Sequence, residues 1–119
     1  KIMDLANGDL SNVSAATVFT AAEQGEGLAR EILGGVAHAL GAGLVNVLHT
    51  FNPDVIILGG GVSINHWEYL HHEVEGYIQA HAMDHVLKMG YKLALSSLGD
   101  DIGLLGAAAL VWREAENDG

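Results

Sequence analysis

Three consecutive glycines, Gly59-Gly60-Gly61, stand between the apolar run Val55-Ile56-Ile57-Leu58 and a new helical pattern that begins near Ser63. Without a Cβ, such a turn can take positive φ and bring its main chain against a flat or charged ligand. The amides at the start of the following helix are donors without intrahelical partners. The chemistry on offer is nucleotide binding. It is not that of a P-loop, because no Gly-Lys-Ser/Thr follows, and the spacing is not the dinucleotide G-x-G-x-x-G. Asp100 and Asp101 could hold a magnesium ion or orient a ribose, but two acids ahead of a helix ordinarily cap it and complement its dipole. His81 and His85 have the i, i+4 spacing that can share a divalent ion on a helix, yet the pattern fixes no third ligand, and no metal site is assigned. His71 and His72 fall on a solvated face, while His38 and His49 read as core or interface groups.

The elements that must position the turn follow from periodicity and breakers. Residues 1–13 lack sustained periodicity, and Asn7-Gly8-Asp9 is turn chemistry, so this stretch reads as a connecting segment. Ser14 is a natural N-cap for a short helix carrying Val18, Phe19 and Ala22, which Gly25 stops after Gln24. From Glu26 to about Thr50, Leu28, Ile32, Val36, Leu40, Leu44 and Leu48 recur every four residues, with Leu33, Val45 and Val47 widening the stripe into a largely buried helix. Gly34, Gly35, Gly41 and Gly43 each cost that helix roughly 1 kcal/mol relative to alanine, so the row Gly35, Ala39, Gly43 predicts close approach of another backbone. Asn52-Pro53 ends it.

Val55–Leu58 shows no polar alternation and predicts a central strand covered on both faces. Asn65 with Glu68 forms a capping-box pattern for the next helix, which carries Trp67, Leu70, Val74, Tyr77, Ile78 and His81. Gly90 closes that region, and Tyr91, Leu93 and Leu95 alternate as a half-exposed strand nearer a sheet edge. Ile102–Trp112 is apolar nearly all round and small at Gly103, Gly106 and Ala107, so it should pack tightly, ahead of a polar tail, 113–119, that frays. The order α-α-β-α-β-α is that of a piece of a layered α/β fold.

Composition sets the remaining bounds. The 119 residues are half apolar, enough for one domain or part of one. A net charge of −10, from 15 acids against 5 bases, opposes binding to nucleic acid or to an anionic membrane surface. The absence of cysteine excludes disulfides and Cys-ligated zinc within the stretch and fits an intracellular, cytoplasmic protein. No apolar run appears long enough to span a bilayer, because Gly34, Gly35, His38, Gly41, Gly43 and Asn46 interrupt the longest one. A start at Lys1 rather than Met reads as a fragment.

The stretch Phe51-Asn52-Pro53-Asp54-Val55-Ile56-Ile57-Leu58-Gly59-Gly60-Gly61-Val62-Ser63 follows a glycine-rich helix. Leu98-Gly99-Asp100-Asp101-Ile102-Gly103-Leu104-Leu105-Gly106-Ala107-Ala108 comes about 35 residues later. Together they resemble the C-terminal part of ROK proteins, a family of bacterial sugar kinases, repressors and related reading frames. The resemblance covers Ser14 to Trp112. It implies an actin-like, ribonuclease H-like fold in which two α/β lobes close over ATP and a hexose, with this chain as the C-terminal part of the second lobe.

By position, Gly59, Gly60, Gly61 and Val62 would form the adenosine wall and Ser63 would add a contact, while Glu26, beside the break between the first two helices, would approach the ribose. ATP and Mg2+ are the implied cofactors of the parent enzyme, and ATP/ADP and a hexose its ligands. A homo-oligomer, or pairing with the rest of the kinase, is the implied assembly. The family's Asp-x-Gly-Gly-Thr phosphate loop, its catalytic aspartate in an Asn-Asp pair and its His/Cys3 zinc motif normally lie before the point where these residues begin. No residue here is assigned as general base, and the segment alone should be inert. The alternative from another class is the sugar-sensing domain of a ROK transcriptional repressor, with a blander third option in an ATP-independent interaction domain. An upstream Asp-x-Gly-Gly-Thr loop would favour the kinase and a helix-turn-helix the repressor.

Overall fold

Ser14 starts the first well-formed helix through a reciprocal cap: the N–H of Thr17 donates to Ser14 Oγ at 3.4 Å and the N–H of Ser14 to Thr17 Oγ1 at 2.9 Å. The computed structural model describes residues 1–118, apart from the side chains of Asp100 and Asp118. Its helices are α1 (Ile2–Leu5), α2 (Ala15–Glu23), α3 (Gly27–Phe51), α4 (Gly61–His81), α5 (Asp84–Met89) and α6 (Ile102–Asp118). The strands β1 (Val55–Leu58) and β2 (Lys92–Leu95) pair in parallel, Val55 opposite Lys92 and Leu58 opposite Leu95. Single turns of 3-10 helix lie at Leu10–Asn12 and Gly99–Asp101. In the first of these the N–H of Ser11 bonds Asp9 and holds its carboxyl below the usual carboxylate range. The chain divides into two compact units, one of Lys1–Pro53 with Glu68–Gly90 and one of Asp54–Trp67 with Tyr91–Gly119.

The core belongs to the first unit. Phe19, Leu48, Leu70, Val74 and Ile78 are its largest fully buried side chains, and Phe19 meets Tyr69 edge-on at 5.9 Å. Helix α3 buries Ala29, Leu33, Ala37, Gly41, Leu44, Val45 and Leu48, a row one position on from the sequence stripe at its N-terminal half. Leu28, Ile32 and Val36 are exposed instead, because the smaller Ala29 and Ala37 let the neighbouring helices come closer than the branched residues would.

The predicted small-residue contact is also displaced. Gly35 and Gly43 have nothing within 4 Å of where a Cβ would stand, whereas a Cβ on Gly41 would lie 2.8 Å from Cβ and Cδ1 of Tyr77. Tyr77 seats its ring in that notch, stacked on His81 at 3.9 Å and tilted against His38 at 5.5 Å. Gly41→Ala is therefore expected to destabilise by about 1–3 kcal/mol, since Tyr77 Cβ cannot rotate away. Gly43→Ala is expected to stabilise by about 0.5–1 kcal/mol. Denaturant melts of both variants check the opposite signs.

His38 and His49, read as core or interface groups, are not in the core but exposed. His38 Nε2 lies 3.9 Å from Glu73 Oε2, and His49 Nε2 accepts the N–H of Met83 at 3.1 Å, fastening the turn before α5 to the end of α3. Asn52 closes α3 in the left-handed region, φ 45°, ahead of Pro53. The interior glycines do not interrupt α3, which is continuous over 25 residues and, contrary to the sequence reading, is long and apolar enough to cross a membrane by length and composition. Seven of its residues are buried against the rest of the protein.

In the second unit the sheet has two strands among the described residues, so β1 is not the central, doubly covered strand that its composition predicted. Its residues alternate, with Val55 and Ile57 on the exposed face. Two helices, not one, separate β1 from β2, because α4 stops at His81 and α5 begins at Asp84. Helix α6 does not pack tightly along its length: Leu104, Leu110, Val111 and Trp112 are exposed, and Cβ atoms on Gly103 and Gly106 would meet nothing within 4 Å. It continues helical through 113–118.

Candidate ligand turn at the end of the first strand

Leu58 hands the chain from β1 to the glycine turn, and its carbonyl accepts the N–H of Ser96 at 2.8 Å, which ties the end of β1 to the end of β2. Gly60 has φ +94°, a conformation that side chains rarely adopt, and a Cβ there would meet nothing within 4 Å. The main chain is thus bare where a side chain would otherwise stand. Gly59 differs. A Cβ on it would lie 2.7 Å from Cδ1 of Ile102, so the first residue of α6 packs directly on the turn. Ile102 went unnoticed in the sequence because its apolar character is shared by the whole segment; only its place directly after Asp100-Asp101 marks it.

Helix α4 begins at Gly61, and the N–H of Ile64 closes onto the carbonyl of Gly60 at 3.0 Å. The amides of Gly61, Val62 and Ser63 therefore belong to the first turn, where N–H groups have no intrahelical acceptor and the helix dipole is positive. Asn65, read as the N-cap, lies inside α4, because the chain enters the helix straight from Gly60. Gly59 to Ser63 form one contiguous surface that can take a flat ring against main chain or an anion against amides.

Glu26 lies in the first unit and not in the unit of the glycine turn. It holds the N-cap position of α3 without a side-chain cap bond. Its Oε2 is buried and has no hydrogen-bond partner among the described residues, and the residue borders an apolar cavity of about 350 Å³ lined by Ile2, Met3, Val18, Leu28 and Ile32. A buried acceptor without a donor costs about 1–3 kcal/mol, so this oxygen is a ready acceptor for a hydroxyl or amine. Asp101 is exposed at the end of its 3-10 turn, and the capping role read for Asp100 lies outside the described residues. His81 and His85 stand on different helices, and the ring Nδ1 of His81 is 2.9 Å from the carbonyl of Tyr77.

The parallel pair β1 and β2, with the bare glycine turn leading from β1 into a long helix, defines an α/β protein. The chain belongs to the ROK family, whose family model matches residues 2–114. It is 32% identical to the glucokinase of Thermotoga maritima over 107 residues, which covers 87% of this chain and 32% of that protein. It is 30% identical to the glucokinase of Halalkalibacterium halodurans, covering 88% and 31%. Among solved structures it resembles a ROK family glucokinase from Streptomyces griseus in complex with glucose and AMPPNP, at 28% identity and a TM-score of 0.63, covering 92% of this chain and 35% of that one. The fold is therefore that of sugar kinases, and the chain spans about a third of the length of the curated relatives it matches.

Proposed function

We propose that the chain supplies the adenosine-contacting part of an ATP-dependent sugar kinase that transfers the γ-phosphate of ATP to glucose or a related hexose. In this reading residues 1–119 are the C-terminal part of the second, actin-like lobe, with 1–13 as its connecting segment and 113–119 as its tail. The observation that carries it is the turn itself: Gly60 at φ +94° with open space beside it, followed by the first-turn amides of α4, in a ROK chain. Adenine lies along the Gly59–Gly60 main chain, and Val62 and Ser63 contact the adenosine from the helix start.

Bound Mg-ATP would bring the phosphoryl group to be transferred. The residues here bind and orient its adenosine end, which converts part of the binding energy into positioning. No residue of this chain is given the role of base, and the Mg2+ ion is given no ligand here. The likeness to a glucokinase that bound glucose and AMPPNP supports the same pair of ligands for the parent enzyme.

The test is an ADP titration followed by calorimetry and by NMR of the backbone amides, using a polypeptide that joins this chain to the remainder of the kinase fold. Saturable binding with amide shifts centred on Gly59–Ser63 is the expected result. No measurable affinity for ADP or ATP would reject the adenosine role.

A further inference from the structure

Helix α5 has six residues, too few to hold a helix together in water, so its attachments to the rest of the first unit decide whether it stays folded. Val86 is its buried residue, and a hydrogen bond holds each end. At the start, Nε2 of His49 on α3 accepts the N–H of Met83, the N-cap of α5, at 3.1 Å. At the other end Nδ2 of Asn52, the residue that closes α3, donates to Sδ of Met89 at 3.5 Å. The chain leaves the first unit after Pro53 and again after Gly90, so each partner of this second bond stands immediately before a point of departure.

The bond at Met83 fixes a protonation state. A backbone N–H can only donate, so Nε2 of His49 presents its lone pair and the neutral ring carries its proton on Nδ1. A second proton on the ring turns that acceptor into a donor and sets two N–H groups against each other. His49 is exposed, so solvent reaches the ring, and imidazole is the side chain that ordinarily titrates between pH 5 and 8. The titratable groups on the elements beside it are His81 at the end of α4 and Asp84, His85 and Lys88 of α5; among the described residues none forms an ion pair with His49. On α3 itself the nearest is His38, about three turns away.

We infer that His49 is a pH-sensitive clasp on α5. With its ring neutral it holds the helix to the end of α3; with its ring protonated it releases Met83 and loosens the segment that leads through Gly90 into β2. The neutral ring makes the bond, so the fastening is complete above the range in which imidazole titrates and is lost as the pH falls through it. Asn52 and Val86 keep their hold when the ring is charged, so α5 frays from Met83 while the core of the unit stays in place.

Hydrogen exchange of the intact protein, read by NMR at about pH 7.5 and about pH 5, tests this. After correction for the intrinsic pH dependence of exchange, protection of the Met83, Val86 and Leu87 amides should fall about tenfold at the lower pH, while the core amides of Leu48 and Val74 change less than about twofold. Nitrogen chemical shifts of the His49 ring should show Nε2 without a proton at the higher pH. His49→Gln removes the titration and leaves His81 and His85 in place, so protection of α5 in that variant should be the same at both pH values, whether or not the glutamine oxygen takes up the Met83 N–H. A fall that persists in His49→Gln would overturn the inference. So would protection in the unsubstituted chain that does not respond to pH, or a neutral His49 with its proton on Nε2.

Discussion

Gly60→Val in the completed kinase is expected to lower ATP affinity by ~30-fold or more while leaving hexose affinity within about twofold, as read by calorimetric titration of each ligand. Two effects act in the same direction. Gly60 has φ +94°, where a β-branched residue is strained by about 1–3 kcal/mol. The valine methyls would also occupy the open space beside the turn, where no protein atom lies within 4 Å of a Cβ. Binding of a flat ring against main chain needs that space. Strain alone would weaken the fold and both ligands together, so equal losses would show misfolding, whereas unchanged ATP affinity in a folded variant would remove the turn from the ligand site. Gly59→Ala tests the neighbouring position from the opposite side: the added Cβ meets Ile102 Cδ1, the far end of a flexible side chain, which can turn aside.

Phe19→Ala should carry the largest stability cost in the chain, about 3–5 kcal/mol, measured by denaturant melting of the first unit. Phe19 is 2% exposed and packs edge-on against Tyr69, so truncation removes both the buried area and the ring contact and leaves a cavity that helices α2 and α3 cannot close. That cost is a large share of the roughly 5–15 kcal/mol that holds a typical domain together. A loss below about 1 kcal/mol would mean that the first unit does not have the core described.

Features set by adjacent residues were legible in the sequence. The N-cap at Ser14, the stop at Gly25 with φ +90°, the end of α3 at Asn52-Pro53 and the glycine turn all depend on a few neighbouring residues, and each forms where the residue types demand it. The register of α3 was not legible, because its two candidate faces are both apolar. Leu28, Ile32 and Val36 outweigh Ala29, Leu33 and Ala37 in hydrophobicity, but close packing favours the smaller row, which hydrophobic periodicity does not measure.

For the same reason the close approach at Gly41 was missed in favour of Gly35 and Gly43: a glycine in a helix shows that space is wanted somewhere, and only the opposing Tyr77 shows where. β1 and α6 misled in another way. Their apolar composition reports what they are suited to touch, and a burial pattern can be realised only where a partner is present. In the ligand region the glycines were read from sequence, while the Ile102 contact and the unpaired oxygen of Glu26 required coordinates.

The free edge of β1 bears on how the isolated chain behaves in the test tube. Val55-Ile56-Ile57-Leu58 has no charge and no proline to interrupt an added strand, which is the composition from which ordered aggregates seed. Its gatekeepers are Pro53 and Asp54 immediately before it, and the repulsion between chains that each carry a net charge of −10. Salt screens the second of these over about 10 Å at 0.1 M, so turbidity of a concentrated sample should rise with ionic strength, the opposite of what screening does to a chain held together by surface ion pairs.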